Sequence, residues 1–176
     1  MPTAAGPWAR LLALNADLLL NSLDGLTDQA TAPVIAGGNT IAFLVAHLVD
    51  SRHFIARLLG AAIENPVAQA LAGAKSLAEV RELPPLPALR AAWVEVSRHL
   101  DRVLATIDRA RLDAPCEQRF PGGDGTLEGA LAFLVQHDSY HLGQIAMLRR
   151  QHGLPAMSYR RGAMAAEGRA APMGSE

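Results

Sequence analysis

Hydrophobic residues recur along most of the chain at intervals of three and four, the period that places side chains on one face of an α-helix. The first such stripe is closed by Asp24-Gly25, and the second, which Asn39 or Thr40 can cap, runs from about Thr40 to Leu59. The pattern predicts one helix over each stripe. The first stripe consists of Trp8, Leu11, Leu12, Asn15, Leu18, Leu19 and Ser22.

Two further helices are predicted in the second half of the chain. The clearest periodicity is in the row Leu86, Leu89, Trp93, Val96, Leu100, Val103 and Ile107. This row predicts a third helix that ends near Ala110. A loop rich in proline and glycine follows, and a fourth helix is predicted from Thr126 to about Gln151, where Gly153 and Pro155 end it.

The stretch between the second and third helices is less regular. Ser76 and Glu79 form a capping-box pattern for a short helix, which Pro84-Pro85 would stop. Four long amphipathic helices with one long connection between the second and third predict an all-α four-helix bundle over residues 1–155. Residues 156–176 are small, polar and aperiodic, so we expect a mobile C-terminal tail.

The composition is typical of one folded, helical domain. The chain has 176 residues, of which 50% are hydrophobic and only 5% aromatic, and alanine and leucine favour helices over strands. The net charge of −1 gives no overall field that would attract nucleic acid or anionic lipid, so no nucleic-acid partner is expected. Arg10, Asn15 and Asp17 interrupt the first apolar stretch, which predicts a mature, soluble N-terminus and no membrane partner.

The chain has one cysteine, Cys116, which cannot form an intrachain disulfide bond. A reducing, cytoplasmic location fits this composition. Cys116 lies between Pro115 and Glu117 in the predicted loop, with an acid rather than a base beside it, and is therefore a poor candidate nucleophile.

Three of the six histidines fall on the predicted inward faces. His137 and His141 are four residues apart in the apolar row of the fourth helix, where both can contact one ion, and His47 lies in the apolar row of the second helix. A single histidine in such a row is commonly a core residue bonded to a carbonyl or hydroxyl group. Burying two imidazoles on one face costs desolvation free energy unless their nitrogens find a further partner. A metal ion would be such a partner. Both interpretations remain open at this point.

The other histidines are predicted to have different roles. His53 lies six residues after His47 and faces another side of its helix, so we expect it on the surface. His99 and His152 are expected to be solvated or to act as charges near a helix end. Because Asp138 follows His137, the pair is not the H-E-x-x-H motif of zinc proteases.

Helical spacing also indicates residues that could support the three histidines. Asp50 lies three residues after His47, Tyr140 three after His137, and Gln144 three after His141. Each of them could equally be an ordinary hydrogen bond of the bundle, and none is placed as a general base. Three basic residues could meet an anionic substrate or simply be solvated: Lys75, Arg149 and Arg150.

The segment HDSYHLGQIAMLRRQHGLP, preceded by GTLEGALAFLVQ and far upstream by NTIAFLVAHLVDSRHF, resembles the DinB-like family, also called DinB/YfiT-like. The resemblance covers about residues 8–155. It implies a four-helix bundle in which His47, His137 and His141 bind a divalent metal ion, usually zinc or nickel.

The resemblance also implies a function. Similar proteins are often homodimers, and they include transferases that use a low-molecular-weight thiol and a thiol-dependent isomerase. We therefore expect a metal-dependent enzyme that acts on a small-molecule substrate with a thiol cosubstrate, or a related hydrolase. Two alternatives from other classes are a metal-binding or sensing module without turnover, and a structural helical dimer without metal.

Overall fold

The computed structural model describes residues 4–32, 38–74, 80 and 82–167. Within these ranges the regular structure is helical, apart from an isolated β-bridge between Pro115 and Thr126. The helices are α1 (Gly6–Leu23), α2 (Asp28–Thr31), α3 (Ile41–Leu58), α4 (Ala68–Leu71), α5 (Leu86–Leu104), α6 (Arg109–Asp113), α7 (Leu127–Gln151) and α8 (Ala163–Glu167). The prediction of an all-α fold is confirmed.

The four long helices, α1, α3, α5 and α7, form the body of the molecule. Helix α1 packs against α5 and α7, and α3 packs against the same two helices. Each long helix therefore has two long neighbours, as in a four-helix bundle. No helix in the described part of the chain is long and apolar enough to cross a membrane.

Side-chain caps explain where two of the long helices begin. The Thr40 hydroxyl accepts a hydrogen bond from the Phe43 N–H at the start of α3, and the Thr126 hydroxyl accepts one from the Gly129 N–H at the start of α7. Beyond the end of α7, Gly153 adopts a φ of 76°, which suits glycine. These signals are readable in the sequence, and the predicted bounds of both helices agree with the structure within one residue.

The third long helix is shorter than predicted. Helix α5 ends at Leu104 rather than near Ala110, and the chain then starts the separate helix α6. The Asp108 carboxylate begins α6 by accepting a hydrogen bond from the Arg111 N–H. The apolar period continues through this break because Ile107 also packs against the core. The capping box of Ser76 and Glu79 lies outside the described residues.

A polar layer divides the core into two apolar clusters. Along α5, Trp93 belongs to one cluster and Leu100 to the other, and the buried Ser97 lies between them. The same order occurs in α3, where the buried Arg52 separates the two clusters, and in α7, where the buried Asp138 does so. The bundle is therefore polar at the middle of its length.

The segment that follows α7 contacts the bundle as far as α8. The Asn21 side chain donates a hydrogen bond to the Arg160 carbonyl oxygen, and the Asp17 carboxylate accepts one from the Met164 N–H. Polar side chains of α1 thus bind the backbone of a segment that has no apolar period. The residues after Glu167 lie outside the described part, and mobility of residues 156–176 stays a prediction.

Candidate metal centre

The rings of His47, His137 and His141 meet where α3 packs against α7. The Nε2 atom of His137 lies 3.0 Å from Nε2 of His47 and 3.1 Å from Nε2 of His141. One ligand atom from each residue lies within 4.8 Å of the others. The sequence placed these three residues on faces that could converge, and the folded chain brings them together.

The position of the three rings follows from local structure. Residues four apart on α7 lie one turn above each other on the same face, so His137 and His141 are adjacent, and packing against α3 adds His47. All three side chains are partly exposed. They therefore lie at the edge of the bundle, where a small molecule can reach them, rather than in its fully buried interior.

Neighbouring polar groups engage the outer nitrogens of two rings. The Nδ1 atom of His141 lies 2.7 Å from the Gln144 amide oxygen, which can only accept, so Nδ1 carries the hydrogen and Nε2 presents a lone pair. The Nδ1 atom of His137 lies 3.5 Å from the Ser51 hydroxyl, a longer contact. Such outer hydrogen bonds are the usual means of orienting histidines that bind metal.

Hydrogen bonds among the three Nε2 atoms cannot satisfy all of them. A ring nitrogen has either one hydrogen or one lone pair, yet Nε2 of His137 faces two other Nε2 atoms at hydrogen-bond distance. With a Zn–N distance of about 2.0–2.1 Å, the nitrogens of a tetrahedral site are about 3.3 Å apart. The separations of 3.0 and 3.1 Å are close to that value, and all three ligand atoms lie within 4.8 Å of one another, so the donor set fits a single cation.

The surroundings of His47 and His137 favour the neutral imidazole, the form that binds metal. Burial lowers the pKa of His137 to about 4, and the neighbouring charges of His141 and His47 add to this effect. Burial also lowers the pKa of His47, helped by His141 and opposed by the nearby Asp50 carboxylate. Near neutral pH, His47 and His137 therefore carry free lone pairs.

Aromatic side chains surround the three histidines. Phe43 stacks on His47 with the ring centroids 6.0 Å apart, and Phe133 stacks on His137 at 6.3 Å. Tyr140 meets the edge of His141 at 5.1 Å and is 58% exposed. The site is thus partly apolar, with an aromatic ring on the solvent side.

The three predicted supporting residues have different positions. Gln144 contacts His141 directly, as described above. The Asp50 carboxylate accepts a 2.7 Å hydrogen bond from the Asn65 amide and influences His47 only through its charge. The Tyr140 hydroxyl accepts a weak 3.4 Å hydrogen bond from the Gln144 amide. Within the described residues, Gln144 is the candidate that orients a histidine by hydrogen bonding.

The expectation that His53 lies on the surface is wrong. His53 is 3% exposed, and its Nδ1–H donates a 2.8 Å hydrogen bond to the Val49 carbonyl oxygen. Helix α3 is buried on most of its circumference, so the side away from His47 also faces protein. His99 is not simply solvated either, because its Nε2–H donates to the Ala61 carbonyl oxygen at 2.6 Å.

Other sequence candidates are structural or lie outside the described part. Arg149 is buried and donates hydrogen bonds to the carbonyl oxygens of Ser22 and Pro155, so it is not free to bind a substrate. Arg150 is exposed, and Lys75 lies outside the described residues. Cys116 is buried and is not part of the histidine cluster.

Sequence reasoning missed a buried ion pair beside the histidines. The Arg52 Nε donates a 3.1 Å hydrogen bond to the Asp138 carboxylate, and the two side chains are 1% and 0% exposed. Arg52 also donates to the Ser97 hydroxyl at 2.6 Å and the Leu12 carbonyl oxygen at 2.9 Å, with its guanidinium 3.8 Å above the Trp93 ring. One arginine thus connects all four long helices.

Burial disfavours the charged forms of both side chains in this pair. Burial raises the pKa of Asp138 to about 6, and the Arg52 charge opposes that shift. Burial likewise lowers the pKa of Arg52, whereas Asp138 supports its charged form. The second Asp138 oxygen, Oδ1, is buried without a hydrogen-bond partner in the described part of the chain. Because Asp138 follows His137, the pair restrains α7 at the level of the candidate site.

The available sequence signal for this pair was weak. Arg52 and Asp138 carry opposite charges next to the inward rows of two helices that pack together, but they are 86 residues apart in the chain. Only the pairing of these two helices at one particular level brings the charges into contact.

Comparisons with known proteins add one finding. The family model described as the DinB superfamily matches residues 11–145, a range that includes α3, α5, most of α1 and of α7, and all three histidines. Neither the curated proteins nor the solved structures gave a match. The match spans most of the chain and agrees with the helical fold, and the chain belongs to the DinB superfamily.

Proposed function

We propose that this chain is a metal-dependent enzyme in which His47, His137 and His141 bind one divalent ion, zinc or nickel, through their Nε2 atoms. The observation that carries the proposal is the convergence of three Nε2 atoms that cannot satisfy one another by hydrogen bonding. No fourth histidine, cysteine or carboxylate joins this group within the described residues. Three protein ligands are typical of catalytic sites, which keep a position open, whereas structural zinc sites use four.

The proposed reaction is the attack of a small thiol on an organic electrophile. A bound divalent ion would act as a Lewis acid that lowers the pKa of a thiol or water at the open position. In the reaction a sulfur–carbon bond forms, the bond from that carbon to its leaving group breaks, and the thiol proton is released to solvent.

The chain itself supplies position and environment for this reaction. Gln144 holds the His141 ring by its Nδ1–H, and the Arg52–Asp138 pair fixes α7 against α3. Phe43 and Phe133 provide apolar surface beside the histidines, which suits an uncharged electrophile. A homodimer and a cytoplasmic location are part of the same proposal, and sedimentation velocity tests the former.

Metal analysis tests the metal site first. Protein purified without a histidine tag and without added metal should contain about one divalent ion per chain. His137→Ala and His141→Ala should lose most of it with little change in helix content. His152→Ala is the matched control, because His152 lies at the end of the same helix and should leave metal content unchanged. Full metal retention by both site variants would contradict the proposal.

A rate measurement tests the reaction. The metal-loaded protein is incubated with glutathione, bacillithiol, mycothiol or cysteine and with 1-chloro-2,4-dinitrobenzene, and release of chloride and formation of the thioether are followed. At least one of these thiols should react faster in the presence of the parent protein than in the presence of the His141→Ala variant. If the metal site is stable but no thiol gives a rate above that variant, the protein is a binding module rather than this enzyme.

A further inference from the structure

A cavity of about 250 Å³ lies between α1 and α5 under α8, and none of the three histidines lines it. The small side chains of Ala9, Ala13 and Ala16 on α1 leave this space, and Met164 and Ala165 of α8 cover it. Cavities of about 150 Å³ bind benzene in proteins, so by volume this one has room for about ten non-hydrogen atoms. We call it the α1/α5/α8 cavity.

The floor of the α1/α5/α8 cavity presents hydrogen-bond donors. Arg52 and Ser97 line it, and both side chains are more than nine-tenths buried. Arg52 has five N–H groups but, among the described residues, donates three hydrogen bonds, to Asp138, Ser97 and the Leu12 carbonyl oxygen. The Ser97 hydroxyl accepts one of these and donates none within the described part of the chain. A ligand seated on this floor should therefore bring an acceptor.

The charges around the α1/α5/α8 cavity do not favour an anion. The Arg52 charge is already balanced by Asp138. Of the remaining charged lining residues, Arg98 is basic, whereas Asp17 and Asp101 are acidic. A carboxylate would meet a net negative surround, whereas a neutral carbonyl or ether oxygen could accept from Arg52 and Ser97 without that penalty.

We propose that the α1/α5/α8 cavity is a second small-molecule site, distinct from the histidine cluster. Its ligand is a neutral, largely apolar organic molecule of about ten non-hydrogen atoms with one acceptor oxygen directed at Arg52 and Ser97. Helix α8 forms one wall of the site. Asp17 holds this wall by accepting from the Gly162 and Met164 N–H groups, and Arg98 donates to the Met164 carbonyl oxygen.

Acetophenone is a suitable probe, because it is neutral and aromatic and has one carbonyl oxygen. Titration of the ¹⁵N-labelled full chain, without metal and again with Zn²⁺, should give saturable amide shifts in α1, α5 and α8 with the same dissociation constant. Ethylbenzene, which lacks the oxygen, should bind about three- to tenfold more weakly, because it loses the net contribution of one hydrogen bond. Benzoate should also bind more weakly than acetophenone.

A blocking variant locates the binding. Ala13→Trp places a large ring in the exposed part of the α1/α5/α8 cavity and should weaken acetophenone binding at least tenfold. Ala88→Trp is the control, since Ala88 is exposed on α5 but does not line the cavity, and it should bind like the parent. Absence of saturable shifts, unchanged binding by Ala13→Trp, or tighter binding of benzoate would overturn the proposal. None of these outcomes depends on metal binding by the histidines.

Discussion

Replacing Arg52 with methionine should destabilise the bundle strongly. The change leaves Asp138 fully buried, and its Oδ2 loses the Arg52 hydrogen bond, while Oδ1 already has no partner among the described residues. Breaking a buried ion pair by removing one partner typically costs about 3–5 kcal/mol. Loss of the guanidinium from the Trp93 ring, 3.8 Å away, adds to the cost. Since domains of this size are stable by about 5–15 kcal/mol, the variant should fold but unfold at much lower urea concentration.

The double variant Arg52→Met/Asp138→Leu separates pairing from packing. With both charges gone, no uncompensated group remains, so we expect most of the lost stability to return, and a coupling energy of at least about 2 kcal/mol between the two sites. Urea unfolding followed by circular dichroism gives the four free energies of unfolding of this double-mutant cycle, for the parent, the two single variants and the double variant. Arg57→Met is the control. Arg57 is exposed on the same helix and contacts only the Phe54 ring, among the described residues, by a cation–π interaction at 5.2 Å, so this substitution should cost at most about 1 kcal/mol. A cost below about 1 kcal/mol for Arg52→Met, or additive effects in the double variant, would refute this reasoning.

Three further changes test separate parts of the structure. Gln144→Leu should lower metal affinity about 10–100-fold without loss of helix, because His141 loses its orienting acceptor, and unchanged affinity by calorimetry would contradict that role. Asp17→Ala should speed amide exchange at Met164, since the carboxylate accepts from its N–H, and unchanged exchange would show that other contacts hold α8. Thr126→Ala should cost about 1 kcal/mol in urea unfolding as the cap of α7 is lost, and no cost would show that the cap is dispensable.

Local signals predicted the features that depend on neighbours in sequence. Thr40 and Thr126 cap their helices by hydrogen bonds that reach only three residues along the chain, so the starts of α3 and α7 were readable. The placement of His137 and His141 on one face follows from helical spacing alone. The helical spacing of apolar residues did not reveal the break after Leu104, because Ile107 continues that spacing and packs against the core beyond the end of α5.

Features that depend on packing between distant segments could not be predicted in this way. Arg52 is buried only because α7 places Asp138 at the same level, and His53 is buried because α3 has neighbours on most of its circumference. The contacts of Asn21 and Asp17 with residues after α7 likewise join positions more than 130 residues apart. A helical period shows which face of a helix is apolar, but it does not show how much of the remaining circumference the fold covers.

Anomalous diffraction tests the central claim of a three-histidine metal site most directly. Crystals of the tag-free protein grown with Zn²⁺, measured on both sides of the zinc absorption edge, would locate the ion. The account predicts one anomalous peak about 2.0–2.1 Å from the Nε2 atoms of His47, His137 and His141. A fully ordered site in which the three rings keep their present contacts and no peak lies among them would contradict it.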